Sequence, residues 1–215
     1  MAEHDCSWLL GQLRAEGISD PRVLGAIRRV PREHFVPANL ASRAYENEAL
    51  PVDQGQTISQ PYVVACMTQA LALTGTERVL EIGTGTGYQT AILANLAAEV
   101  VSVERIAALA DAARRRLTSL GVRNVQLLVG DGSLGAPSGA PYDAIVVTAG
   151  GPRVPARLAA QLAISPPGRL IMPVGPRDEQ QLLLLSGDPH SRALRRLGPV
   201  RFVPLIGNEG WEVSS

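Results

Sequence analysis

The sequence predicts an α/β fold, a doubly wound and mostly parallel sheet preceded by N-terminal helices. Three observations lead there. From residue 76 onward, short apolar runs alternate with helical patterns in β-α-β order, which within one sheet implies parallel strands with helices on both faces. Residues 142–148 are almost continuously apolar, as suits a strand buried on both sides. The apolar run 79–82 leads directly into glycines at 83, 85 and 87, and a strand-glycine-helix junction is where an open α/β sheet binds ligands.

The elements follow in order. Residues 7–16 predict a first helix with Trp8, Leu9 and Leu13 on one side. Asp20-Pro21 starts a second, Asp as N-cap and Pro at the first helical position. Its Val23, Leu24 and Ile27 make a buried stripe. Residues 31–60, punctuated by Pro37, Asn39, Pro51 and Gly55, predict an ordered but irregular segment, and such a run inside a compact domain is usually functional. Ser59 is expected to cap a third helix, from 60 to about 73. Beyond Gly75, strands are expected at 78–82, 100–103, 125–129, 142–148, 169–173, 181–186 and 195–206. Helices are expected at 88–97, 106–120 and 155–163. Residues 135–141 and 186–190 are loops by composition. The 215 residues suit one domain, with 1–75 as a helical segment and 76–215 as the α/β core.

Bulk composition narrows the function. Twenty basic and twenty acidic residues leave no net charge, which argues against a nucleic-acid partner held through its phosphates. Every basic side chain is Arg, which reads as a coding bias rather than a demand for guanidinium groups. Cys6 and Cys66 are isolated and only three His are present, so neither a metal site nor a disulfide framework is expected. Cys66, in an apolar helical stretch, reads as a buried free thiol. The polar, acidic start Met1-Ala2-Glu3-His4-Asp5 is unlike a signal peptide, and no apolar run reaches membrane-spanning length. A cytoplasmic monomer that binds no membrane is expected.

The glycine register identifies the ligand more closely. A dinucleotide fingerprint would place its third glycine at 88, where Tyr stands, and the acidic Glu81 before the first glycine also departs from it. Glu104 ends the second strand of the core, where its carboxylate can accept both ribose hydroxyls of a nucleoside. Asp131, followed by Gly132, ends the third, where it can accept the adenine amino group. Successive strand ends therefore supply a loop, a ribose acceptor and an adenine acceptor. Residues 79–87, Val-Leu-Glu-Ile-Gly-Thr-Gly-Thr-Gly, thus resemble the S-adenosylmethionine-dependent methyltransferases of class I, Rossmann-like fold. The resemblance implies S-adenosyl-L-methionine as cofactor, held by Glu81, Gly83, Thr84, Gly85, Gly87, Glu104, Asp131 and Gly132.

A narrower resemblance covers residues 22 to 211, nearly the whole chain. Residues 29–37 (Arg-Val-Pro-Arg-Glu-His-Phe-Val-Pro), 45–51 (Tyr-Glu-Asn-Glu-Ala-Leu-Pro) and 55–61 (Gly-Gln-Thr-Ile-Ser-Gln-Pro) resemble the protein-L-isoaspartate O-methyltransferases. So do 142–149, 168–175 and 200–207, in family order. The resemblance implies esterification of the free α-carboxylate of L-isoaspartyl residues, or of D-aspartyl side chains, in damaged proteins, and thus isoaspartyl proteins or peptides as partners. It places the hydroxyls of Thr57 and Ser59 against that carboxylate, with Ile58, Val203 and Leu205 lining the substrate cleft. A carboxylate with pKa near 4 is ionised at neutral pH and needs no general base, in keeping with the lack of an obvious catalytic His or Lys. Ser59 at a helix N-terminus also suits an anion.

Two departures from the family bear on substrate preference. Asp53 adds negative charge close to where a carboxylate is expected. Gly150 and Gly151 stand where alanines are usual, so that strand-end loop is expected to be more mobile. Three other readings share parts of the pattern: an aspartate methyltransferase acting on a biosynthetic peptide, a nicotinamide-dependent dehydrogenase and a non-catalytic cofactor-binding module. Biosynthetic relatives often carry an extra C-terminal segment, whereas this chain ends just after Trp211. The glycine register disfavours the dehydrogenase, and the intact 56–61 run disfavours the inactive module.

Overall fold

The computed structural model of the protein describes residues 6–187 and 191–212; of the expected loop at 186–190, positions 188–190 lie outside them. Helix α1 (Ser7–Ala15) buries Leu9, Leu10 and Leu13. Trp8, expected on that face, is 65% exposed, because the 9, 10, 13 stripe is centred roughly 145° round the helix from it. Helix α2 (Pro21–Arg29) starts as expected: the Asp20 carboxylate accepts the Arg22 N–H at 2.8 Å, and Val23, Leu24 and Ile27 are buried.

Residues 31–60 are ordered without long elements. They contain 3-10 turns at Arg32–Phe35, Ala38–Arg43 and Asp53–Gly55, and a small hairpin of β1 (Leu50–Pro51) with β2 (Thr57–Ile58). Helix α3 (Pro61–Ala70) follows, and here the sequence expectation is corrected. The N-cap is Gln60, not Ser59, and it makes no side-chain cap bond. Pro61 at the first helical position starts the helix one residue later than expected. The free N–H of Tyr62 in the first turn is met instead by Asn47 Oδ1 at 2.9 Å.

The core alternates as expected. Its elements are β3 (Arg78–Ile82), α4 (Tyr88–Ala94), β4 (Glu99–Glu104), α5 (Ala107–Ser119), β5 (Val125–Val129), β6 (Ala144–Val147), α6 (Ala156–Ala160), β7 (Arg169–Val174), β8 (Gln180–Ser186) and β9 (Ala193–Val200). The seven strands β3–β9 form one sheet in the order β5-β4-β3-β6-β7-β8-β9; the first five are parallel, β8 pairs antiparallel with β7, and β9 pairs antiparallel with β8. The order reverses between β3 and β6. Period-2 alternation splits the strand side chains between two cores. Val79, Val100, Ala144, Val146 and Ile171 pack with α1–α4 on one face, and Leu80, Ile82, Val101, Ile145, Val147 and Leu170 pack with α6 on the other.

The last expected strand, 195–206, is corrected: β9 ends at Val200. Strand β8 begins at Gln180, which pairs with Val200, so β9 has no ladder partner beyond that point. The buried Gln180 amide takes over, accepting Phe202 N–H at 2.8 Å and donating to Phe202 O at 3.2 Å. The chain then crosses to the carboxyl end of the sheet, where Gly150 bridges Pro204. Among the described residues no helix is long and apolar enough to cross a membrane.

Glu77 fastens the turn that launches β3. Its buried carboxylate accepts the N–H groups of Thr74, Gly75 and Thr76 and the Thr74 hydroxyl. Burial alone would raise its pKa, but these bonds outweigh it and hold the carboxyl below its ordinary value. A depressed folded-state pKa adds stability above the unfolded value of about 4.3, and that stability is lost as pH falls through the folded value. Glu77→Gln is expected to lose about 1–3 kcal/mol at pH 7 and to lose less on acidification than the parent, as checked by urea unfolding at pH 7 and pH 3.5.

Candidate active site

The carboxyl ends of β3, β4 and β6 converge on the glycine loop. Gly83 has φ +94°, and a Cβ there would collide with Thr148 Oγ1 just beyond β6. The Thr148 hydroxyl donates to Gly83 O at 2.7 Å. Gly85 has φ +54° and faces open space, with no atom within 4 Å of where a Cβ would stand, so its backbone is free to approach a ligand. Gly87, expected to touch the cofactor, has another job. It is the left-handed N-cap of α4, and a Cβ on it would sit 3.3 Å from Ala113 Cβ of α5. It permits helix packing rather than lining the cavity.

The acids divide the work differently from the sequence expectation. Glu104 is 5% exposed on the cavity wall; its two oxygens accept Gly85 N–H at 2.9 Å and Ile106 N–H at 3.0 Å. Both bonds aim the carboxylate and leave its remaining lone pairs for a ligand. Glu81 is fully buried and off the wall: its Oε2 accepts Thr90 Oγ1 at 2.5 Å and Ser102 Oγ at 2.6 Å. Ser102 in turn meets Thr84 Oγ1 at 2.6 Å. Glu81 thus braces the loop from beneath, two residues before Gly83. Asp131 is also off the wall. It accepts Ser133 N–H and Oγ, and Asn208 N–H at 2.8 Å, so its oxygens tie the C-terminal segment down; those bonds, offsetting desolvation, lower its pKa. Gly132 does line the cavity, where a Cβ would collide with Ile82.

Two cavities meet here. The first, about 290 Å³, is lined by Gly83, Thr84, Gly85, Glu104, Gly132 and Leu205 together with Thr57, Ile58 and Ser59. The second, about 500 Å³, lies between residues 47–66 and 197–203, with Tyr62, Leu197 and Phe202 on its walls. Thr57, Ser59, Thr148 and Val203 line both. Sequence reasoning placed three of those four and missed Thr148; its position at the end of a buried strand, facing the first glycine, was the available signal. It also missed Asn47, whose carbonyl accepts Gln60 Nε2 at 2.9 Å.

Both departures resolve. Asp53 is exposed, lines neither cavity and acts electrostatically on Arg116 of α5, so it does not crowd a carboxylate site. Gly150 and Gly151 are buried and bonded rather than loose. Gly150 N–H donates to Val203 O, its carbonyl accepts from Leu205 N–H and Trp211 Nε1, and a Cβ would strike the Gln180 amide. Cys66 is half-buried on the second cavity's wall instead of fully enclosed.

Comparison with known proteins gives one answer. Residues 4–210 match the family model described as protein-L-isoaspartate (D-aspartate) O-methyltransferase. A Rhodopseudomonas palustris protein-L-isoaspartate O-methyltransferase is 55% identical over 202 residues, covering 93% of this chain and 82% of its own. A Protochlamydia amoebophila enzyme of the same name is 52% identical over 206 residues, covering 95% and 97%. A solved protein-L-isoaspartate O-methyltransferase superposes with TM-score 0.86 at 32% identity, over 95% of this chain and 67% of that one. A Plasmodium falciparum protein assigned to the same class, solved with S-adenosyl-L-homocysteine, shares the fold at TM-score 0.81 and 23% identity, over 96% and 100%.

The buried Glu81 yields a pH prediction. Burial, assisted by nearby Glu104, pushes its carboxyl up to about 7 against the opposing Ser102 and Thr90 hydrogen bonds. Between about 4.3 and 7 the folded state keeps a proton that the unfolded chain loses, so stability falls as pH rises through that window, by up to about 3–4 kcal/mol. Glu81→Gln, which mimics the protonated form, is expected to lose this slope and to gain on the parent between pH 5 and pH 8. Parallel urea-unfolding curves for the two proteins across that range would refute it.

Proposed function

The chain belongs to the protein-L-isoaspartate (D-aspartate) O-methyltransferase family, and from that premise we propose that it methylates the free α-carboxylate of L-isoaspartyl residues in damaged proteins. The D-aspartyl side chain is the second substrate class. The observation that carries this reading is the shared wall: two cavities separated by Thr57, Ser59, Thr148 and Val203, one built around a nucleoside-type loop and the other open to a peptide. Residues 1–75 form the substrate side and 76–215 the cofactor core of one methyltransferase domain.

The cofactor is S-adenosyl-L-methionine, and the first cavity fits it. Gly85 leaves space where a side chain would block a ligand, and Glu104 is aimed by two backbone amides. Glu104 would accept the ribose hydroxyls, while Gly83, Thr84, Gly85 and Gly132 shape the floor. Bound there, the cofactor supplies an electrophilic methyl group on a sulfonium.

The chain's own residues then do three things. Ser59 and Thr57 donate hydroxyl hydrogen bonds that hold the carboxylate against the shared wall, converting a collision into an aligned displacement. Ile58, Val203 and Leu205 keep water out, which favours a transition state in which sulfonium and carboxylate charges cancel. No residue need remove a proton, since the carboxylate is ionised at neutral pH. The ester product closes without further help when the following amide nitrogen attacks it, releasing methanol and leaving a succinimide. Hydrolysis of that ring returns a share of normal aspartate.

The test supplies labelled S-adenosylmethionine with isoaspartyl, aspartyl and biosynthetic-precursor peptides. Base-labile label on the isoaspartyl peptide alone is expected. Label on the aspartyl or precursor peptide instead would assign another substrate, and no label at all would make this a binding module. Ser59→Ala should lower turnover more than tenfold with cofactor affinity nearly intact; wild-type turnover would remove Ser59 from the mechanism.

A further inference from the structure

One side chain that the transfer chemistry does not use reaches the walls of both cavities. Arg32, on the Arg32–Phe35 turn, is 0% exposed. Its Nη1 donates to Ala44 O, and its Nη2 donates to Glu48 O at 3.0 Å and to Ser59 O at 3.1 Å. The guanidinium carbon lies 5.7 Å from the centre of the Tyr88 ring, which Phe35 meets edge-on at 5.5 Å. Glu48 lines the second cavity, Tyr88 the first, and Ser59 both.

We propose that Arg32 is a positioning residue for methyl transfer: its planar fork fixes the Ser59 backbone, and through it the hydroxyl on the shared wall. The proposal rests on the transfer reading above. Its physical basis is the choice of group. A buried cation carries a large desolvation cost and is weak evidence for stability. Here burial works against the charge, lowering the guanidinium's pKa. Its hydrogen-bond partners among the described residues are carbonyls rather than a carboxylate. What a guanidinium offers there is several donors in one rigid plane, which an ammonium cannot reproduce. The carbonyls come from positions 12 to 27 residues further along the chain, in a segment with little regular structure to hold it. Ser59 has no cap bond of its own to orient it, since the α3 N-cap is Gln60. The fork therefore supplies the constraint that local structure does not.

Arg32→Lys, which keeps the charge and loses the fork, is the test, with Arg32→Gln as a second variant should the first fold poorly. Four quantities are read: kcat and KM on an isoaspartyl peptide, S-adenosylhomocysteine affinity by calorimetry, thermal unfolding, and amide hydrogen exchange along the chain. The expected result is a kcat at least tenfold lower, S-adenosylhomocysteine affinity within threefold, and faster exchange confined to residues 44–60. Normal kcat well below the unfolding temperature would overturn the proposal. So would unchanged exchange at 44–60, exchange raised throughout, or cofactor affinity falling in step with kcat, each of which makes Arg32 an ordinary core residue or none of the site's concern. Should the parent protein itself leave isoaspartyl peptide unmethylated, the transfer reading fails, and the exchange pattern still decides whether Arg32 holds Ser59.

Discussion

The whole site depends on how closely the chain ends of β3 and β6 can approach at the point where strand order reverses. Open α/β sheets bind ligands in that crevice, and here it is closed at its base by one contact, Gly83 against Thr148. A Cβ at 83 would collide with the Thr148 hydroxyl, and that hydroxyl donates to Gly83 O. The same pair therefore sets the course of the glycine loop and fixes a residue of the wall between the cavities. Cofactor side and substrate side are not two modules joined later; they share atoms at the reversal.

Around that contact, backbone polar groups that regular structure leaves unpaired are met by side chains, as buried groups must be. On the cofactor side Glu104 collects Gly85 and Ile106, while Glu81 with Ser102, Thr90 and Thr84 forms a polar brace under the loop. On the substrate side Asn47 meets the Tyr62 amide of α3, and Gln180 substitutes for a missing strand at Phe202. A site held this way is organised before substrate arrives, which is what an in-line displacement with no acid or base needs. Rigidity replaces proton chemistry.

The sequence made the fold and much of the site legible because those parts obey local rules. Asp20-Pro21 opened α2, alternation of apolar runs gave the parallel sheet, and the register of 83, 85 and 87 separated a nucleoside site from a dinucleotide one. What was illegible depends on reach. Ser59 read as an N-cap since Ser before Gln-Pro suits one, yet the Tyr62 amide is satisfied from residue 47, fifteen residues upstream. Asp131 follows its strand where an adenine acceptor would stand, and nothing local reveals that its oxygens also hold Ser133 and Asn208, the latter 77 positions away. Gly87 looked like part of the ligand loop, and only the packing of α4 on α5 shows that it answers to Ala113. The end of β9 was misplaced for a similar reason, as the length of β8 opposite decides it.

The bonds at Asp131 bear on how the two cavities relate. Residues 203–212 begin at the shared wall with Val203, bond Gly150 through Val203 and Leu205, reach Asp131 and Ser133 beside the cavity floor at Gly132 through Asn208 and Glu209, and return to Gly150 through Trp211. The approach at the far end is so close that a Cβ on Gly207 would overlap the Asp131 carboxylate. The substrate wall at Val203 and the cofactor floor at Gly132 are thereby tied by the hydrogen bonds of residues 203–209 as well as by the Gly83–Thr148 contact. Asp131 is thus the point where the substrate wall is tied to the cofactor side.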